Sequence, residues 1–481
     1  MKILLVSSEV HPFSKTGGLA DMVGALGKEL AHAGHEVGIV TPLYAGILEK
    51  FPDIQKLDWQ LSLPLGWRQV TGSVWTRQLA PKATVYFVAQ NEFFSRTGLY
   101  SAGGKDFGDN AERFIFFSKA AANLARYLPW KPQVVHVHDW QSGLVPILLQ
   151  HERLQQGIGN HIRTCCTVHN LAYQGIFSAD HYGLTNLPLD YLNPHGLEFY
   201  GSMNCLKAGI AYADVITTVS PRYAREITTP EFGCGLDPLL RKRQSVLHGI
   251  LNGVDYEEWN TSKNPYLNHS YSARNLSGKL KNKLELQAEF GLDVSAEIPL
   301  FGSVTRLAEQ KGIDIEIAAL TEMLSSRMQF VLLGSGSPAY EQACRELAAR
   351  HPAQVAVKIG FDNALAHRIE AACDFYLMPS NFEPCGLNQM YSLRYGTIPI
   401  VRATGGLDDS VVDVAENPDL ADGIKFSEYS SRALAKCIRK AMVLYQEPKL
   451  LRHYRRNAIQ ADFSWGRVVE QYEQVYASVP N

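Results

Sequence analysis

The string Thr-Gly-Gly-Leu-x-Asp occurs twice, from Thr16 to Asp21 and from Thr404 to Asp409, each time after a short apolar run and at the head of a helix-like one. Such a pattern suits an anion. Glycine lets the backbone come close to a phosphate, and the first N–H groups of a helix, reinforced by its dipole, point at negative charge. A Gly-Gly pair can also merely turn the chain. The shared pattern, with Lys15 directly before the first copy, favours two cradles: Lys15 with Gly17 and Gly18, and Thr404 with Gly405 and Gly406. A diphosphate held between two lobes would use both.

Other residues suit the same chemistry. Arg306 and Lys311 stand five residues apart in Arg-Leu-Ala-Glu-Gln-Lys-Gly, across a strand exit and a helix entry, so both can reach one spot. Cations there would clamp a pyrophosphate and stabilise its charge as it leaves; the commoner fate of such a pair is a solvated surface. Glu383 precedes Pro384-Cys385-Gly386 and a helix starting near Leu387, where it can accept bonds from sugar hydroxyls or serve as a helix N-terminal acid. His169 ends an apolar run and is either a capped core histidine or a neutral imidazole donating to a sugar.

Metal and dinucleotide chemistry are less well served. His136-Val137-His138-Asp139 sets two imidazoles on one strand face, but the further His and Asp ligands of a binuclear site do not follow. There is no Asp-x-Asp pair to hold a diphosphate through a divalent ion. No metal and no cofactor are therefore expected, with Lys and Arg in the ion's place. Gly334-Ser335-Gly336-Ser337-Pro338-Ala339 fits the loose G-x-G-x-x-A fingerprint with only Asp362 as a late acidic partner, which leaves nicotinamide binding as a minor alternative.

Positioning these residues needs strands with polar residues at their carboxyl ends, where open parallel sheets bind ligands. Short β-branched runs alternate with helix-period segments throughout. Strands are expected at Ile3 to Ser7, Glu36 to Val40, Thr84 to Val88, Val134 to Val137, Arg163 to Val168 and Val215 to Val219. A second set is expected at Leu300 to Val304, Met328 to Leu333, Ala353 to Ile359, Phe375 to Met378, Ile398 to Val401 and Gly423 to Lys425. Glu9, His11 and Lys15 follow the first strand, Asp139 and Trp140 the fourth, and Asn170 follows His169. Both sets describe α/β, Rossmann-like sheets. With 481 residues the chain exceeds one core. Domains are expected at 1–250 and 251–455, hinged near Asn252-Gly253-Val254-Asp255, with a terminal helix over 456–481 returning to the first. The polar stretch Asn260 to Lys283 reads as surface.

Composition narrows the partners. Lys plus Arg total 46 against 48 acidic residues, a net charge of -2, so no global field draws in nucleic acid or an anionic membrane. Eight scattered cysteines lack a paired framework and read as reduced core fillers. No signal h-region or membrane-length apolar run is present, and a cytoplasmic protein is expected.

Six strings, in order along nearly the whole chain, resemble the bacterial glycogen synthase and plant starch synthase family. They are Lys15 to Asp21, His138-Asp139-Trp140, Thr167 to Gly175, Arg306-Leu307 with Gln310-Lys311-Gly312, Phe382 to Leu387, and Thr404 to Leu407. The resemblance implies a GT-B fold, two Rossmann-like domains facing a deep cleft, and transfer of glucose from ADP-glucose to the non-reducing end of an α-1,4-glucan with retention. It places Lys15, Gly17 and Gly18 at the donor, Arg306 and Lys311 at the departing diphosphate, and Thr404, Gly405 and Gly406 around the phosphates. Glu383, Cys385, Gly386 and Leu387 would hold the glucose, and His169 would lie near its 6-hydroxyl. Asp21, Asp139, Asn170, Tyr173 and Asn252 are implied as acceptor or sugar contacts.

Phe361, at a strand end, can stack on adenine or uracil alike, so the ADP-glucose preference rests on the resemblance. Where many retaining relatives carry a second Glu eight residues beyond the first, this chain has Tyr391, and the synthase group also lacks that Glu. A missing transit peptide favours a bacterial enzyme over a plastid one. The open alternatives are a UDP-glucose-using glucan synthase, an NAD-binding oxidoreductase and a catalytically silent glucan-binding protein.

Overall fold

The structure, a computed structural model, describes residues 1–156 and 162–478. Two compact units divide the chain. The first takes Met1–Val219, Ala224–Ile250 and the residues from Trp465; the second takes Ser220–Tyr223 and Leu251–Ser464.

In the first unit, Ile3, Leu4, Leu5 and Val6 are all fully buried, as a strand covered by helices on both faces must be. Lys2–Val6 lies between Glu36–Pro42 and Val134–His138, parallel to both, with Leu5 opposite Ile39 and His136. Outward from Val134–His138 come Arg163–Val168, Val215–Thr218 and Leu247–Gly249; on the other side Ala83–Ala89 follows Glu36–Pro42. Seven parallel strands thus change winding direction beside the first one. The helix Gly18–His32 buries Met22, Val23, Leu26 and Leu30, a stripe at helical spacing.

The second unit repeats the plan. Its sheet runs Val355–Ile359, Gln329–Gly336, Leu300–Leu307, Phe375–Met378, Ile398–Arg402, Ile424–Phe426, parallel throughout. This is the doubly wound order 3-2-1-4-5-6, whose ligand crevice opens beyond the carboxyl ends of the first and fourth strands. Those ends carry Arg306 in this unit; in the first unit the equivalent ends lead to Ser7–Lys15 and Asp139.

Every strand expected from the sequence is present, with ends moved by a few residues. Three readings need correction. An antiparallel hairpin, Gln55–Leu65 with Arg68–Ala80, extends the first sheet unanticipated; its alternation of buried Leu61, Leu63 and Leu65 with exposed neighbours was its signature. The stretch read as surface ends in a helix, Ser277–Glu289, whose Lys279 and Lys283 are almost wholly buried. Lys283 is inside because its Nζ lies 2.7 Å from the buried Asp374, which Arg455 also contacts at 2.6 Å. The terminal helix is two helices, Pro448–Gln460 and Trp465–Ser478, broken where Phe463 bonds through its N–H to Tyr256 and through its carbonyl to Val254.

The first of these two helices packs in the second unit through Leu451, Tyr454 and Ala458. Only from Trp465 does the chain rejoin the first unit, where the Tyr476 hydroxyl meets His136 Nδ1 at 2.8 Å and Glu473 meets His35. Residues 479–481 of the expected terminal segment lie outside the described residues. Among the described residues no helix is long and apolar enough to cross a membrane.

Candidate active site

In the first unit the Lys-Thr-Gly-Gly loop is fastened from below. Glu9 is buried, and its carboxylate accepts the Thr16 N–H, the Thr16 hydroxyl at 2.6 Å and the Tyr100 hydroxyl at 2.6 Å. The sequence named Glu9 only as a polar strand-end residue; nothing in it announced this role. Above the anchor, Gly17 and Gly18 open a 15-residue helix without a side-chain cap, and a Cβ on Gly17 would touch nothing within 4 Å among the described residues. Lys15, about half exposed, pairs with Asp21 at 2.8 Å. An anion arriving there would exchange a carboxylate partner for itself.

Deeper in this unit, the strand ends carry three histidines. His136 is satisfied on both nitrogens, by Tyr476 at 2.8 Å and Thr167 at 2.5 Å, which makes it a core residue rather than a ligand for metal. His138 is buried, with Nδ1 3.1 Å from Nε2 of His169. Burial pushes His136 and His169 down to about 3, so both rings are neutral. Asp139 takes a positive φ of 56° and accepts the His169 N–H at 2.7 Å. Burial raises its carboxyl to about 7 against the bonds from the His169 and Asn170 backbone. The Asn170 side chain accepts the Ala172 N–H, and Tyr173 stands largely exposed.

In the second unit, Arg306 is the penultimate residue of strand Leu300–Leu307, lining a cavity of about 620 Å³ with Glu309, Ser335, Gly336, Ser337 and Tyr340. Lys311 closes the short helical turn Glu309–Lys311. Gly312 follows at φ 72°, where a Cβ would strike the Pro379 carbonyl oxygen at 2.2 Å, so this turn seats tightly on the Pro379–Glu383 segment. There Lys311 Nζ meets Glu383 Oε2 at 2.5 Å, and the Ser380 hydroxyl donates to the same oxygen at 3.1 Å. Lys311 is thus held by Glu383, one turn from Arg306 in the chain. Asn252, buried with its Oδ1 unpartnered among the described residues, bonds through its backbone to the Cys385 sulfur, and burial pushes that thiol up to about 12. Cys385 thus stays a neutral thiol.

The second Gly-Gly copy differs from the first. The Gly406 N–H already bonds the Glu383 and Pro384 carbonyls, at 3.1 and 3.2 Å. A Cβ on Gly405 would lie 1.9 Å from the Glu383 carbonyl oxygen, and one on Gly406 would lie 2.0 Å from that of Cys385. With Thr404, Gly405 and Gly406 all buried, these glycines serve to press one loop against another. Gly386, at φ 71°, and Cys385 offer their carbonyls to Gln389, and Leu387 caps the helix Asn388–Arg394. Phe361, 87% exposed beyond strand Val355–Ile359, is open to stacking. Tyr391 stacks on Trp259, ring centroids 3.6 Å apart, so packing occupies the position of a second carboxylate. The dinucleotide reading loses its parts: Gly334 and Gly336 lie within strand Gln329–Gly336, the Gly336 N–H bonds Glu341, and Asp362 caps the helix Asn363–Ala372.

Comparison with known proteins gives one consistent answer. Residues 2–242 match the starch synthase catalytic domain family, and residues 289–461 match glycosyl transferases group 1. A glycogen synthase of Anaeromyxobacter sp. (strain Fw109-5) is 47% identical over 100% of this chain and 99% of its own length. That of Myxococcus xanthus (strain DK1622) is 46% identical over 99% of each chain. Among solved structures, the catalytic domain of starch synthase IV from Arabidopsis thaliana, bound to ADP and acarbose, superimposes with a TM-score of 0.89 at 33% identity, over 99% of this chain and 98% of that one. A sucrose-phosphate synthase from Thermosynechococcus elongatus, 19% identical, shares the fold with a TM-score of 0.60 over 99% of this chain and 98% of that one.

Proposed function

The chain belongs to the starch and glycogen synthase family of retaining glucosyltransferases, and from that premise we propose that it transfers glucose from ADP-glucose to the non-reducing end of an α-1,4-glucan. The starch synthase neighbour binds ADP, which supports adenine over uracil. The observation that carries the residue roles is the Lys311–Glu383 pair at the strand ends, next to a cavity lined by Arg306.

In this reading Arg306 and Lys311 offset the charge that develops on the departing diphosphate, as fixed cations held ready before reaction. Lys15 and the open Gly17-Gly18 backbone act on the same donor, and Phe361 stacks on its base. Glu383, tied through Oε2 to Lys311 and Ser380, accepts glucose hydroxyls through Oε1, while His169 donates near the 6-hydroxyl. The loop of Cys385, Gly386 and Leu387, braced by Thr404, Gly405 and Gly406, shapes the pocket for the sugar. Asp21, Asp139, Asn170, Tyr173 and Asn252 line the sugar and acceptor side. A carboxylate already bound by an ammonium and a hydroxyl is a poor nucleophile, so retention proceeds by departure and attack on one face, with the leaving phosphate taking the acceptor's proton. The enzyme acts in the cytoplasm.

The test is release of ADP or UDP from each glucose donor in the presence of glycogen. ADP release with glucan growth is expected. Preference for UDP-glucose would move the assignment to a UDP-glucose synthase, and no release from either donor would leave a silent glucan binder. Lys15→Ala and Glu383→Ala should each lose turnover by about two orders of magnitude or more while staying folded. A glucosyl group trapped on a side chain would overturn the one-face route.

A further inference from the structure

The three strand-end histidines form a contiguous set, and the middle one has no use in the chemistry so far described. His138 is fully buried, its ring centroid 4.1 Å from that of His136 and 5.3 Å from that of His169. Its backbone is locked by Ser142, which accepts the His138 N–H at 2.9 Å and donates to its carbonyl at 2.8 Å. Nδ1 faces His169 Nε2 at 3.1 Å, while Nε2 is buried without any partner among the described residues. Leaving a buried polar atom of this kind unpaired is unfavourable. Apolar packing alone would be served better by Phe or Leu.

Two neutral imidazoles can share that contact in only two ways, since each carries one N–H. Burial holds the His138 ring well below its ordinary range, with His136 and His169 adding to the effect, and burial does the same to His169. If His169 donated, the proton of His138 would sit on Nε2 as a buried N–H with no acceptor, the rarer and costlier kind of orphan. If His138 donates, its Nε2 keeps only an unused lone pair, and the proton of His169 is forced onto Nδ1. That nitrogen has no protein partner among the described residues and, unlike Nε2 of His138, is not a buried orphan. It is the atom free to meet a ligand.

Resting on the reading of His169 as a sugar contact, we propose that His138 is a positioning residue, whose Nδ1–H fixes His169 in the tautomer that presents Nδ1–H to the transferred glucose. Asp139 completes the arrangement by accepting the His169 backbone N–H at 2.7 Å, so ring and backbone are oriented by successive residues of one strand end. Histidine function commonly depends on such a partner, because the bond at one nitrogen decides what the other can do.

The test compares His138→Phe, which keeps a ring against His136 but cannot donate, with His138→Asn, whose amide restores a donor near the Nδ1 position. His169→Ala is measured in parallel, with kcat, donor KM and melting temperature for each. His138→Phe should lower kcat by at least about tenfold with donor KM changed less than about threefold, and His138→Asn should recover most of that loss. The double variant His138→Phe/His169→Ala should be no slower than His169→Ala alone. Wild-type kcat in His138→Phe, with His169→Ala impaired, overturns this inference and leaves the sugar contact standing. Equal losses in the Phe and Asn variants also overturn it, since the ring and not its donor would then matter. Normal turnover in His169→Ala removes the sugar contact itself.

Discussion

Asp139 is the residue whose charge the fold disfavours most clearly within the first site. Its carboxyl rises from an ordinary 3.8 to about 7, chiefly by burial, although the His169 and Asn170 backbone bonds pull the other way. An acid raised on folding is stabilising where both states are protonated, below about pH 4. The cost grows as pH rises through the interval between 3.8 and about 7, then stays constant. Asp139→Asn keeps an oxygen for the His169 N–H and removes the ionisation. Its melting temperature relative to wild type should therefore climb between pH 4 and pH 7, by an amount corresponding to a few kcal/mol at most. Scanning calorimetry at three pH values checks this. A gap between variant and wild type that stays flat across the interval would show that Asp139 is ionised throughout.

At the scale of elements, the two Gly-Gly copies look alike in sequence and differ in what surrounds them. Gly17 has an extended backbone, φ -160°, and open space where a Cβ would go, whereas Gly405 and Gly406 have a carbonyl oxygen within about 2 Å of theirs. Gly17→Ala should melt within about 2 °C of wild type and raise donor KM if the donor needs that approach. Gly405→Ala should push the Glu383–Cys385 segment aside and lose both stability and turnover. Equal melting temperatures for the two variants would mean that the second loop yields freely. A second element-scale test is Lys283→Met. Asp374 is buried, which would raise its carboxyl, yet Lys283 and Arg455 hold it below the ordinary range. Removing one partner of a buried pair costs about 3–5 kcal/mol, read as a melting shift of about 10 °C.

The same contrast explains what the sequence could disclose. Strands such as Lys2-Ile3-Leu4-Leu5-Val6 were legible because a doubly covered parallel strand must be an unbroken apolar run, and the strand-end rule then pointed to Lys15, His169, Arg306 and Glu383. Pairings across 72 residues, as between Lys311 and Glu383, leave no local signal. Neither does the closing of Thr404, Gly405 and Gly406 by a neighbouring loop. Lys279 and Lys283 read as surface because burial of a lysine depends on partners as distant as Asp374.

For the whole molecule, the chain's end is structurally part of its beginning. The helix Trp465–Ser478 buries Trp465, Val468, Val469, Tyr472, Val475 and Tyr476, six side chains, and the Tyr476 hydroxyl supplies one of the two bonds that satisfy His136. At about 1.5–3 kcal/mol for each buried side chain, their removal forfeits roughly 9–18 kcal/mol, as large as the entire stability of an ordinary domain. A chain ending at Ser464 should therefore fail to fold its first unit, although the core of the second contains no residue of that helix. Two melting transitions in the full chain should become one in the truncated chain, with the segments around His138 open to protease. Tyr476→Phe, by contrast, keeps the ring and strands only one nitrogen of His136, so it should fold and lose about 1–3 kcal/mol. A truncated protein that still melts as the full chain does would show that the first unit stands without its last helix, and that the His136–His138–His169 stack is held from within its own sheet.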